Sequence, residues 1–116
     1  MYPHLWFIQS FANGSIGALV EFGLETWRVT ERPEFLRLTH TLAEYIAAIN
    51  PESLDVLLRH DIGKDPTRTV EWLLTVHSGV LGEKISITRF LRWGRLPDRA
   101  PIPPKDPAVA VRLKRA

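Results

Sequence analysis

The sequence predicts an α+β domain: a three-stranded antiparallel sheet with two helices packed on one face, followed by an extended, Pro-rich, basic C-terminal tail. Three observations carry that reading. Apolar residues recur at every second position up to about residue 25, switch to helical spacing after Pro33, and return to a period of two near residue 84. Asn13-Gly14, between the first two alternating runs, is a hairpin signal. Beyond Leu96 the prolines at 97, 101, 103, 104 and 107 replace periodicity with an extended linker composition.

The first strand spans about residues 5–12, with Leu5, Phe7 and Phe11 on one side and Trp6 and Ile8 on the other. Asn13-Gly14 reads as a type I′ turn, because both residues tolerate positive φ, so the second strand, about 15–25, pairs antiparallel with the first. There Ile16, Ala18, Val20, Phe22 and Leu24 alternate with Gly17, Leu19, Glu21, Gly23 and Glu25. The first helix, about 33–49, carries Phe35, Leu38, Leu42, Tyr45, Ile46 and Ile49 on one stripe, with Arg37 and Glu44 off it. Pro33 suits a first turn, where a missing N–H is harmless, and Asn50-Pro51 closes the helix, since a residue before proline is pushed out of the α region. Residues 52–66 support two readings, a short helix capped by Ser53 or a short edge strand, before a loop at Asp61–Pro66. Thr67 is the expected N-cap of a second helix, about 67–81, which carries Val70, Leu73, Leu74, His77, Val80 and Leu81 and stops at Gly82. Strict alternation in the last strand, about 84–93, puts Ile85, Ile87, Arg89, Leu91 and Trp93 on one face and Ser86, Thr88, Phe90 and Arg92 on the other.

A chain of 116 residues suggests one domain, assigned to residues 1–95, with residues 96–116 as the tail. It holds no cysteine, which removes disulfide and thiolate chemistry. No apolar run approaches the roughly 20 residues a membrane span needs. The N-terminal residues lack a basic segment and a cleavage site, so the expected setting is the cytoplasm. The formal charge of +2 is unevenly placed: residues 1–95 hold ten Lys/Arg against eleven Asp/Glu, and residues 96–116 hold five against two. Any electrostatic case for an acidic partner such as RNA phosphate therefore rests on the tail, at Arg112, Lys114 and Arg115; a solvated end is the competing reading.

Catalytic chemistry finds no footing. His4, His40, His60 and His77 are scattered without metal-ligand spacing, so no metal or other cofactor is expected. His77, on an apolar stripe, reads as a core histidine, and His40 with Glu44 as a surface pair. The serines have no nucleophile context, and Gly63-Lys64 has no phosphate-loop pattern around it. What stands out is the corner between second strand and first helix, Glu25-Thr26-Trp27-Arg28-Val29, where a large aromatic and a cation sit on a connection between two rigid elements. As a partner-binding site it comprises Thr26, Trp27, Arg28 and Val29, since Trp and Arg are favoured anchors at interfaces. The competing reading folds Trp27 back over the sheet as a satellite of the core.

Several motifs, in order, resemble one family. G-A-L-V-E-F-G-L-E-T-W-R-V resembles the strand and corner of translation elongation factor Ts, roughly G-x-L-V-E-x-N-C-E-T-D-F-V. The following E-F-L-R-L-T-H-T-L-A-E-Y-I-A-A-I-N-P resembles that family's next helix. Leu57 to Asp65 resembles its L-L-x-Q-x-F-V-K-D, and Thr69-Val70, Leu81 to Ile85 and Arg89 to Trp93 resemble T-V-x-x-L-I, I-G-E-N-I and R-R-F-x-R-F. The resemblance covers about residues 14–93.

That resemblance implies a factor without catalytic chemistry of its own, which binds elongation factor Tu or a related translation GTPase and promotes guanine-nucleotide exchange. In the family the Asp-Phe of the corner enters the GTPase near its Mg²⁺ and switch region. Trp27 stands at the Asp position and Arg28 at the Phe position, while Thr26 and Val29 match. An acid is thus replaced by a bulky aromatic and an apolar wedge by a cation. The family's N-terminal three-helix domain and the insertion after Pro51 have no counterpart in this sequence, which reads as a stripped core. Two functions stay in view: an exchange factor, or a diverged module that uses this fold on the ribosome with its tail on rRNA. Large apolar groups on both sheet faces add the expectation of a homodimer, or an obligate hetero-complex, through the uncovered one.

Overall fold

A computed structural model describes residues 5–62 and 67–94, so the tail, with Arg112, Lys114 and Arg115, and the Gly63-Lys64 pair lie outside the described residues. Three strands, β1 (Leu5–Asn13), β2 (Ile16–Leu24) and β3 (Ser86–Trp93), form an antiparallel sheet in the order β1-β2-β3. Three helices, α1 (Pro33–Ile49), α2 (Leu54–Leu58) and α3 (Val70–Leu81), join it to a single hydrophobic core, which makes the α+β fold that the apolar periods predict. Of the two readings after Pro51, the helix is the one found: the Ser53 side chain accepts from the Val56 N–H and caps α2.

β2 is the centre of the sheet. Ala18, Val20, Phe22 and Leu24 are buried under the helices, facing Phe35, Leu38, Leu42, Tyr45 and Ile46 of α1. Phe35 receives Phe7 and Phe22 edge-on, at centroid distances of 5.1 and 6.2 Å. Each such buried side chain contributes on the order of 1.5–3 kcal/mol through removal from water. Polar residues on this face are matched to α1. The Thr39 hydroxyl, fully buried, donates to Gln9 Oε1 at 2.9 Å, and Arg92 Nε donates to the Ala47 carbonyl at 3.0 Å. Since α1 carries no basic residue in its last turn, Arg92 brings from the sheet the cation that favours a helix C-terminus. Asn50 in the left-handed region, at φ 49°, ends α1.

Three local expectations are corrected. The hairpin loop is Gly14-Ser15, because Asn13 pairs with Ile16, and positive φ occurs at Gly14 alone (66°), the II′ rather than the I′ pattern. The N-cap of α3 is Thr69, whose hydroxyl accepts from the Trp72 N–H at 3.2 Å, not Thr67. Residues 68–70 are held first in a bridge to residues 60–62, through Ile62 N–H to the Arg68 carbonyl and Val70 N–H to the His60 carbonyl, so the helix cannot start earlier.

The third correction concerns β3. Glu21 pairs with Arg89 while Phe22 pairs with Ile87, which leaves Thr88 as an extra residue. The bulge inverts the pattern on one side of it. Ile87 lies on the covered face with Phe90 and Arg92, and Arg89, Leu91 and Trp93 lie on the other, so Ile87 parts from the three residues with which strict alternation grouped it.

Candidate functional site: the strand-to-helix corner

β2 ends at Leu24 and α1 begins at Pro33; between them a turn of 3-10 helix, Trp27–Glu31, carries the corner. Val29 is buried in the core at 3% exposure and anchors the turn from below. Trp27 is 59% exposed and Arg28 is exposed, so the Trp27 side chain is not a satellite of the core. The Thr30 hydroxyl donates to the Trp27 carbonyl at 2.6 Å and tightens the turn, which the Arg32 N–H closes onto the Val29 carbonyl. Of the four residues singled out from the sequence, Thr26, Trp27 and Arg28 are presented to solvent, and Val29 holds the backbone that presents them.

Sequence reasoning missed what braces the corner. Glu83, just after the left-handed Gly82 that ends α3, reaches across to it. Its Oε2 accepts from the N–H groups of Glu25 and Thr26 at 2.9 and 3.0 Å, and its Oε1 accepts from the Thr26 hydroxyl at 2.6 Å. In return Glu25 Oε1 accepts from the Lys84 N–H at 3.0 Å. Two chain segments 58 residues apart thus exchange carboxylates, each satisfying backbone donors of the other. The sequence signal was Gly82-Glu83: a helix stop followed by an acid, where a helix C-terminus ordinarily favours a base.

The face of the sheet away from the helices is a second surface. Trp6, Ile8, Leu91 and Trp93 are 55–59% exposed there, with Leu19 between them on β2. Glu21 and Arg89 cross the strands at the middle of this face, Arg89 Nε donating to Glu21 Oε1 at 3.2 Å. The Thr88 hydroxyl, donating to the same oxygen at 2.6 Å, and then Arg89 hold the Glu21 carboxyl below the usual carboxylate range. Trp6 lies opposite Gly23, at the corner end of the sheet, while Trp93 lies opposite Gly17, at the hairpin end.

The remaining titratable groups read as structural. His77 is buried, and its Nδ1 donates to the Leu73 carbonyl at 3.0 Å, as a core histidine does. His40 packs edge-on to Phe11 at 6.1 Å. The Tyr45 hydroxyl sits 2.6 Å from His60 Nδ1; burial, and beyond it the Asp61 carboxylate, push it up to about 12. A cleft of about 470 Å³ beside Lys84 is lined chiefly by Leu58, Leu74, Ile85 and Ile87. Among the described residues no cluster of three or more His, Asp or Glu is placed to hold a metal ion, and no helix is long and apolar enough to cross a membrane.

Fold and corner together define a class: a small α+β domain that displays an exposed Trp-Arg pair on a braced strand-to-helix connection. No family model matches the chain. Curated relatives do. The chain is 40% identical over 86 residues to elongation factor Ts of Ralstonia nicotianae, a match covering 74% of this chain and 28% of that protein. Elongation factor Ts of Burkholderia vietnamiensis is 35% identical over 86 residues, with the same coverage, and that of Trichlorobacter lovleyi 32% over 82 residues, covering 71% and 26%. The chain therefore carries a partial elongation-factor-Ts-like domain, and it spans little more than a quarter of the length of the curated relatives it matches.

Proposed function

We propose that this protein acts in translation as an elongation-factor-Ts-like partner of elongation factor Tu, or of a related translation GTPase, and promotes release of its guanine nucleotide in the cytoplasm. The observation that supports this reading is the corner. In a stretch that resembles the family's strand and corner, Trp27 and Arg28 project from a backbone that Val29 anchors and Glu83 braces. On this reading Trp27 is the wedge: a rigid aromatic that inserts into the GTPase beside its metal and phosphate site, with Arg28 and Thr26 at the margin of the contact. The protein contributes displacement rather than bond chemistry and needs no cofactor. The bare sheet face serves as a second contact, used for a homodimer, because it exposes four large apolar side chains around one ion pair.

The test is release of a fluorescent GDP analogue from elongation factor Tu with stoichiometric protein. Acceleration that disappears in Trp27→Ala, with an unchanged melting temperature, supports the wedge. Binding without acceleration in the native protein, and acceleration on changing Trp27→Asp together with Arg28→Phe, locates the loss of activity in that pair. Neither binding nor acceleration in any of these proteins overturns the reading.

A second reading is favoured by one observation: the corner carries an aromatic and a cation where the family carries an acid and an aromatic. On it the domain is a ribosome-associated module, with Arg112, Lys114 and Arg115 on rRNA. Its signature is RNA affinity that falls with salt, with a slope that flattens by up to about three charges when those residues are removed.

A further inference from the structure

We propose that Glu83 is a positioning residue for the corner: it touches no partner, but it sets the fraction of molecules in which Trp27 is presented in a binding-competent orientation. The inference rests on the corner being the surface that meets the GTPase.

Three features carry it. First, one carboxylate takes three hydrogen bonds from two consecutive corner residues, at 2.9, 3.0 and 2.6 Å, immediately before the turn that begins with Trp27. Thr26 occupies the N-cap position of that turn, yet its hydroxyl makes no capping bond; it is turned to Glu83 instead. The orientation of the turn is therefore held from outside, by the segment that follows α3. Second, Glu83 is badly placed for its own surroundings. It directly follows the C-terminal end of α3, where the helix carbonyls disfavour an anion, and Gly82, in the left-handed region at φ 78°, reverses the chain there. An acid at that position has no local benefit to set against this, whereas the donors it satisfies on the corner are distant. Third, the bracing is reciprocal. Glu25 returns a bond to the Lys84 N–H, so the corner cannot swing without breaking contacts at both segments. A corner fixed on four bonds is pre-organised, and a partner that binds it does not have to spend affinity on ordering it.

A positioning role makes a specific pattern of effects. If only the competent fraction changes, the concentration for half-maximal action rises while the rate at saturation stays the same. The experiment uses the full chain, native and as Glu83→Ala and Glu83→Gln, with two readouts: amide hydrogen exchange at Glu25 and Thr26 followed by NMR, and release of a fluorescent GDP analogue from elongation factor Tu. For Glu83→Ala the two amides should exchange at least tenfold faster, with Val20 and Phe22 unchanged, and the half-maximal concentration should rise at least tenfold at an unaltered saturating rate. Glu83→Gln should recover both to within about threefold, since its amide oxygen accepts from both N–H groups and its NH₂ donates to the Thr26 hydroxyl. Where Glu83→Ala does not fold, Glu83→Asp, which keeps the charge and withdraws the carboxylate by one methylene, should show the same split at smaller size. Faster amide exchange with an unchanged half-maximal concentration overturns the positioning role and leaves the corner reading standing. Unprotected Glu25 and Thr26 amides in the native protein overturn it as well. A native protein with protected amides that does not act on elongation factor Tu at any concentration overturns the functional reading, and the positioning role with it.

Discussion

The covered and the bare face of the sheet take alternate residues from the same three strands, yet they handle polar groups in opposite ways. On the covered face Gln9 and Arg92 each find a partner on α1, the Thr39 hydroxyl and the Ala47 carbonyl. Polarity there fixes how the helix sits on the sheet. On the bare face the crossing pair Glu21 and Arg89 looks inward to its own strands and to Thr88, and the surrounding Trp6, Ile8, Leu91 and Trp93 stay open. The difference teaches that exposure of apolar groups here is not a failure of packing. The covered side binds its polar side chains to α1, and the bulge at Thr88 is what delivers Leu91 and Trp93 to the open side.

The sharpest way to break this comparison is to change the register. Deleting Leu91 exchanges the faces of the residues after it, sending Trp93 against the C-terminal end of α1 and withdrawing Arg92; the expected outcome is an unfolded or aggregated chain by circular dichroism. Deleting Thr88 instead removes the extra residue and leaves Ile87, Phe90 and Arg92 on the covered face. That variant should fold, at a cost of about 2 kcal/mol for the lost bonds to Glu21, read from urea denaturation.

Single side chains give the next largest contrast. Phe22→Ala on the covered face should cost about 3–5 kcal/mol, whereas Leu91→Ala on the bare face should stay within about 0.5 kcal/mol in the monomer. Similar losses at both positions would show that the open face is buried in the working assembly.

Beneath the covered face, Tyr45→Phe should cost about 1 kcal/mol near neutral pH, by removing the bond to His60. The pH dependence has a definite sign. The folded value of about 12 lies above the ordinary 10, so the neutral hydroxyl stabilises the fold below pH 10 and that contribution is lost as the pH rises toward 12. Thermal melts between pH 9 and 12 should fall more steeply for the native protein than for Tyr45→Phe.

The smallest effect on folding, and the most telling for assembly, comes from Trp6→Ser with Trp93→Ser. Stability of the isolated chain should change by no more than about 0.5 kcal/mol per site, while light scattering should report dissociation of any sheet-mediated dimer. A native protein that is monomeric at high concentration would remove the dimer from the account.

Much of this was legible because β2 and α1 carry uninterrupted apolar periods. Ile16 to Leu24 has an apolar residue at every second position, and Phe35 to Ile49 keeps helical spacing, so strand, helix and face could be read directly. β3 could not, since a bulge is defined by pairing across strands and Thr88 looks like any other alternating residue in its own strand. The N-cap of α3 was misplaced for a similar reason: the bridge between Asp61 and Thr69 delays the helix, and bridges leave no local trace. At the corner, the exposed Trp27 and Arg28 were readable from their position between two rigid elements. Glu83 was not, because its partners lie at the other end of the chain.

That separation has a consequence for how the molecule comes into being. Contacts between residues 58 apart close a long loop, and closure entropy delays them relative to the hairpin of β1 and β2, whose partners are neighbours. During synthesis, β1, β2, the corner and α1 all leave the ribosome before the Gly82-Glu83-Lys84 segment exists. Until then Trp27 sits on a connection with no brace. A growing chain, or one cut short before Glu83, would hold Trp27 and Arg28 without holding their orientation. The orientation of the corner is thus fixed late in folding, by a segment remote in sequence from the residues it orients.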